Sequence, residues 1–360
     1  MRPYYLASTY IVSKGFSLDS LTQVVLGSAV AYSILGNKLG RKSLLVGAAF
    51  GTLPDLDVLI NFGGNVENFV QHRSFSHSIL VQLLISPLFA WLLLKMNWAK
   101  GGSLTRWCIA IFLILSTHAL LDSFTVYGTQ LLWPLSTYPF GISSIFIIDP
   151  AYTLPLIVSC IGLCFVRAKS QAQRINTCAL IISSLYLTWG LAAKWHISEK
   201  IHQALNNQNI TFKHFESMPT PFNTMLWRAV AVTDQGHYEI YASVFDDVTN
   251  VDMQFYPSEN ALLEKLGGAK QITLLQNFTK GLYGVYQQDE KVIMSDLRMG
   301  QEGYYVFSFV VAEFKNKQLI AGQYQQLSNR FPRDKLGLIF ARITDPNIDL
   351  SNTVAASPSR

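Results

Sequence analysis

Long apolar runs separated by short polar breaks fill the first half of the chain, and shorter alternating runs fill the second. Six segments, roughly 20–36, 43–62, 76–94, 107–126, 150–166 and 175–193, approach the about 20 apolar residues that cross a bilayer's hydrocarbon core. Pro54, Asp55 and Asp57 interrupt the last third of the second, which reads as a broken or re-entrant helix. The connecting loops are short, so the spans are expected to pack as antiparallel neighbours. From about residue 196 the period changes. Residues 226–245 (LWRAVAVTDQGHYEIYASVF) read as two alternating strands around an Asp-Gln-Gly turn, with further strands at 291–298 and 304–314. Residues 196–207 and 259–267 read as helices.

The predicted fold is therefore an α-helical membrane bundle of about six spans (1–195), followed by a smaller extracytoplasmic α+β domain (196–350). Its strands are expected to be mostly antiparallel, and 351–360 to be a disordered tail. No internal repeat is visible, and residues 1–17 lack the apolar core and cleavage site of a signal peptide.

Composition sharpens this division. Half of the 360 residues are apolar and 14% are charged, against about a quarter charged in soluble domains. Residues 1–195 hold 13 Lys/Arg and 6 Asp/Glu, and the remainder holds 15 and 17. The first part thus nets +7 and the second −2, within an overall +5. The basic residues sit between apolar runs rather than on one soluble face, so no nucleic-acid partner is expected. The four cysteines all fall in apolar segments, and no disulfide framework is indicated.

Lys38, Arg41, Lys42, Lys95, Lys100, Arg106, Arg167, Lys169 and Arg174 lie in alternate loops, which the positive-inside rule assigns to the cytoplasm. Arg2, Lys14, Arg73 and Lys194 lie on the other side. The C-terminal domain is then expected outside.

With that topology the six acids of the first part, Asp19, Asp55, Asp57, Glu67, Asp122 and Asp149, all fall at outer span ends or in outer loops. His72, His77 and His118 do the same. Ionisable groups at membrane depth cost a few kcal/mol each unless paired, hydrated or metal-bound, so their gathering predicts a polar site. His118 and Asp122 in HALLD share one helix face, as two ligands of one metal require. Asp55 and Asp57 converge only if the backbone leaves the helix, which Pro54 favours. In HRSFSHS (72–78), Ser74 is a candidate cap for the third span, and Arg73 a bidentate donor for an anion.

Each element also has a plain structural reading: a His–Asp hydrogen bond, a turn, an interfacial loop, and helix caps at Asp19 and at Asp149 before Pro150. Their co-location at one depth favours function. The aromatic stretch 127–148 reads as an interfacial segment, and His196, His202, His214 and His237 as ordinary residues without an acidic partner at ligand spacing.

The blocks DSLTQVVLGSAVAY (19–32), GTLPDLDVL (51–59), HRSFSHS (72–78), HALLDSFTVYGTQLLWPLS (118–136) and IDPAYTLPL (148–156) resemble a family of bacterial inner-membrane metal-dependent hydrolases that includes a LexA-regulated member. The resemblance covers 18 to about 193, with FNTMLWR (222–228) and DLRMG (296–300) similar to the C-terminal extension of longer members. It implies a distant likeness to the zinc-dependent phospholipase C and nuclease superfamily. It also implies Asp55, Asp57, His72, His77, His118 and Asp122 as the metal set. Many members carry His where Gln23 stands here.

The expected function is a membrane-embedded metallohydrolase whose site faces the outer membrane surface. Mixed His/Asp ligation suits Zn²⁺, with Mn²⁺ or Fe²⁺ as alternatives. Asp57 is the candidate proton acceptor and Arg73 the candidate holder of an anionic group, which points to a phosphoester, with a membrane phospholipid as a candidate substrate. The alternative is a non-catalytic integral membrane protein with a structural metal or polar cluster. A transporter would place its ionisable residues near mid-membrane instead.

Overall fold

The computed structural model describes residues 5–99, 102–327 and 336–350, the side chains of 5–19, 98 and 250 excepted. The expected tail 351–360 lies outside the described residues, as do Arg2, Lys100 and the side chains of Lys14 and Asp19. In chain order the helices of the first half are α1 (Tyr5–Leu39), α2 (Lys42–Thr52), α3 (Asn65–Gln71), α4 (Ile79–Leu94), α5 (Leu104–Phe124), α6 (Pro150–Phe165) and α7 (Lys169–Asn207). Then follow β1 (His214–Pro219), β2 (Leu226–Val232), β3 (Gly236–Ser243), β4 (Asp252–Pro257), α8 (Ala261–Glu264) and α9 (Lys270–Phe278). The chain continues through β5 (Tyr283–Gln288), β6 (Lys291–Asp296), β7 (Ser308–Lys315), β8 (Gln318–Leu327) and α10 (Leu336–Arg342). It divides into two compact units: residues 1–60, 72–142 and 147–189, and residues 61–71, 143–146 and 190–360.

The first unit is helical. Its core holds Leu35, Val46, Trp107, Ile111 and Leu115, from α1, α2 and α5. The closest approach is between α1 and α2, where GAAFG (47–51) repeats glycine at the four-residue spacing that lets helix backbones touch in membranes. A Cβ on Gly47 would stand 2.2 Å from the Gly27 carbonyl oxygen, and one on Gly51 would stand 2.6 Å from that of Gln23. α2 stops before Pro54, which lacks the N–H needed to continue the ladder. The chain tightens into a 3-10 turn, Pro54–Leu59. A second 3-10 turn, Phe75–His77, precedes α4.

Ser78 caps α4 by accepting from the Val81 N–H, whereas Ser74 makes no side-chain cap bond, contrary to expectation. His77 therefore lies in the turn before the helix. Asp149 caps α6 through the Ala151 N–H, with Pro150 in the first turn. Asp19, the other expected cap, falls within the run of α1.

The six expected spans are not found. Among the described residues α5 and α7 are long and apolar enough to cross a membrane, with a third if the bent pair Asn65–His77 and Ile79–Leu94 is one span. The windows 43–62 and 76–94 ran across the two 3-10 turns, leaving helices of 11 and 16 residues; α6 has 16. Thr22, Gln23, Ser28 and Ser33 dilute the apolar character of α1.

The second unit contains two four-stranded, all-antiparallel sheets, ordered β1-β2-β3-β4 and β5-β6-β7-β8. The β2–β3 hairpin forms at the predicted turn, closed by Thr233 N–H donating to Gly236 O. Its faces do not alternate in exposure: all seven residues of β2 are buried. Ala193, Ile197, Ile201 and Leu205 of α7 cover one face with Trp227, Ala229 and Ala231. Ile339 of α10 packs with Leu226 and Tyr241. Phe69 of α3 packs against Phe278, Phe307 and Phe309, which explains why a segment from the first half belongs to this unit.

Candidate metal centre

Four side chains of the first unit converge on one point. α5 presents His118 and Asp122 from one face, and the two 3-10 turns supply Asp55 and His77. His77 Nε2 lies 3.0 Å from Asp122 Oδ2, 3.1 Å from His118 Nε2 and 3.6 Å from Asp55 Oδ1. His118 Nε2 lies 3.4 Å from Asp55 Oδ1 and 3.6 Å from Asp122 Oδ2. Ligands held about 2.0–2.2 Å from a tetrahedral Zn²⁺ stand roughly 3.3–3.5 Å from one another. Five edges of such a tetrahedron are present, and none of the four residues is more than 4% exposed.

The hydrogen bonds around this point fix what each atom offers. His118 Nδ1 donates to the Gly51 carbonyl at 2.7 Å, since a carbonyl can only accept, so Nε2 carries a lone pair. Ser76 Oγ donates to Asp57 Oδ2 at 2.6 Å and accepts from His77 Nδ1 at 2.9 Å, so in the neutral ring that ligation requires, His77 Nε2 is the lone pair. Asp122 Oδ2 is buried with no hydrogen bond of its own. With both rings neutral, two imidazole lone pairs and two carboxylate oxygens face each other, and either a proton or a cation must sit among them. Such an arrangement repels itself in a buried site, and a dication cancels its two negative charges. The donor set fits a metal ion.

Asp57 and His72 form a separate pair beside this set. Asp57 Oδ1 bonds His72 Nδ1 at 2.7 Å, and Oδ2 accepts from Ser76 and from the Arg73 N–H at 2.9 Å. Its nearest approach to His77 is 3.7 Å, at Nδ1. Arg73 is buried, with Nε 3.1 Å from Asp122 Oδ2, Nη1 donating to Thr125 Oγ1 at 3.4 Å, and its guanidinium carbon 5.3 Å from the Tyr127 ring centre. Its φ of 62° is left-handed, a conformation costing on the order of 1 kcal/mol for a residue with a Cβ. The bonds to Asp57 and from the Gln130 N–H to the Arg73 carbonyl hold it there. Segment 127–133 thus lines this side of the cluster, with Tyr127 also against the His72 ring.

The geometry defines a helical membrane protein with a buried His/Asp donor set at helix ends. A model of the YdjM inner membrane protein family matches residues 18–197, half of the chain, and the chain belongs to that family. Neither a curated protein nor a solved structure matches it.

The second unit corrects the expectation for His237. On β3, it meets one acid distant in sequence and one two residues on: Nε2 is 3.6 Å from Glu302 Oε2, and Glu239 lies close enough to join them around an ion. The Tyr305 hydroxyl stands among the three, donating to Glu239 Oε1 at 2.6 Å, 3.0 Å from His237 Nε2 and 3.3 Å from Glu302 Oε2. Arg228 pairs with Glu239. The group is therefore tied together by hydrogen bonds, with His237 Nδ1 and Arg228 Nε left buried without a hydrogen-bond partner.

Burial and the Glu239 charge push the Glu302 carboxyl up from 4.5 to about 7, against Tyr305, Arg228 and the Gly303 N–H. Burial pushes His237 down to about 4, so it stays neutral. Because folding raises the affinity of Glu302 for its proton, its contribution is complete below pH 4.5 and is lost as pH rises towards 7. Thermal melts at pH 5 and pH 8 are expected to show Glu302→Gln losing less stability with rising pH than the parent, by at most about 3 kcal/mol. Equal pH dependence of the two proteins would refute this.

Proposed function

We propose that this protein is a membrane-bound, metal-dependent hydrolase acting on a phosphoester at the outer membrane–water interface, with the second unit in the periplasm. The observation that carries the reading is the convergence of Asp55, His77, His118 and Asp122, with both imidazoles held in the ligating tautomer. The likeness of its sequence blocks to metal-dependent hydrolases, and through them to zinc phospholipases and nucleases, supports the same assignment. The Lys/Arg asymmetry of the loops supports the orientation.

Zn²⁺ suits the donors best, and a bound ion would supply Lewis acidity and a water made nucleophilic near neutral pH. The chain's own residues do the rest. Asp57 orients His72, whose side chain is 23% exposed, so the proton acceptor is the Asp57–His72 pair at the accessible edge of the cluster. Arg73 steadies Asp122 and adds positive charge beside the place an anionic substrate would enter.

A structural metal is the second reading, because four protein donors already complete a tetrahedron and catalytic zinc sites usually keep a position open. Turnover separates the two. Full-length protein in detergent micelles, loaded with Zn²⁺, Mn²⁺ or Fe²⁺ and assayed on phosphodiesters and phospholipid micelles, is expected to show chelator-sensitive hydrolysis. A chelator that lowers the melting temperature of metal-loaded protein inert towards every ester would establish the structural reading instead.

A further inference from the structure

Gln23 is an unusual residue for its position. It sits in α1, 1% exposed, where an apolar side chain would be cheaper. Its Nε2 donates to Asp122 Oδ1 at 2.8 Å and approaches the His118 carbonyl at 3.4 Å. Both neighbours only accept, so the amide nitrogen must face them. That leaves Oε1 buried without a hydrogen-bond partner, which costs stability. A polar group that leaves one end unsatisfied to hold the other in place is the kind of local cost found at functional sites.

The fold goes to some length to bring it there. The Gly27, Gly47 and Gly51 contact sets α1 directly against α2, and that approach serves two donors at once. It carries the Gln23 amide to Asp122, and it places α2 so that the Gly51 carbonyl holds His118. Asp122 Oδ1, tied to Gln23, turns Oδ2 towards His77 and His118.

We infer that Gln23 is a positioning residue for the metal set: its amide fixes the Asp122 carboxylate so that Oδ2 completes the tetrahedron. This rests on the metal reading above and adds to it a residue that binds no metal itself. Outer partners of this kind typically change metal affinity about 10- to 100-fold.

The test is metal titration of the full-length protein in micelles with Co²⁺ or Zn²⁺ salts alone, comparing parent and Gln23→Met, which keeps the length and loses the donor. The expected result is a dissociation constant about 10- to 100-fold weaker and an altered visible Co²⁺ spectrum, as a loosened carboxylate changes the coordination. A spectrum and affinity equal to the parent's, with or without a lower melting temperature, would overturn the inference and leave the metal reading intact. Failure of the parent to bind either ion would overturn both. If Gln23→Met does not fold, Gln23→Ala, which removes the donor and adds no titratable group, is read by the same two outcomes.

Discussion

Protein carrying His118→Ala is expected to come through purification without metal, whereas the parent retains about one ion per chain. The substitution removes one of four donors and leaves Asp55 and Asp122 facing a gap, with the Gly51 carbonyl deprived of its partner. Losing a ligand should exceed the roughly 10- to 100-fold loss that follows removal of an outer partner. Asp55→Ala should behave alike, and hydrolysis should vanish in both. Asp57→Asn offers the contrast. Asp57 touches the set only through Ser76 and His77 Nδ1, so its variant should keep the ion with weaker affinity. Elemental analysis of the three purified variants decides. A full complement of metal in His118→Ala would remove the basis for the centre.

Part of this site was legible because its geometry is local. The one-turn spacing of His118 and Asp122 survives in any helix, and Pro54 announced a break beside Asp55 and Asp57. The sequence could not say which acid of that pair turns inward. In a 3-10 turn residues two apart differ by about 240°, so Asp55 and Asp57 leave the backbone in different directions. Asp55 joins the tetrahedron, and Asp57 turns to His72 and Ser76. Gln23, 99 positions from Asp122, carries no local signal of its contact. Glycines 47 and 51 do show in GAAFG, a spacing with a known packing consequence.

The span count failed for a related reason. Window hydropathy sums apolar residues across breaks, and backbone hydrogen bonding does not. In the second unit the hairpin at 233–236 was legible from turn chemistry. The buried second face of β2 was not, because covering it depends on α7 and α10. The His237 network joins residues more than 60 apart and lay beyond any spacing rule.

Arg228→Met is expected to destabilise the second unit more than any surface change would. Arg228 is 4% exposed and pairs with the equally buried Glu239 across the β2–β3 hairpin, while Nη1 donates to the Leu297 carbonyl at 2.8 Å. Removing the cation leaves Glu239 with the Tyr305 hydroxyl as its neutral donor. Breaking one side of a buried pair costs about 3–5 kcal/mol, and for a unit of this size each kcal/mol shifts the melting temperature by about 2–4 °C. A fall of roughly 10 °C is therefore expected, followed through the fluorescence of Trp227, which is fully buried in β2. The double variant Arg228→Met/Glu239→Gln removes both charges and should recover most of the loss, since a buried pair replaced on both sides is often nearly neutral. That recovery separates an uncompensated charge from a lost packing contact, because Met fills much of the same volume in either background. A double variant no more stable than Arg228→Met would show that the guanidinium acts here through packing and its bond to Leu297, and not through Glu239.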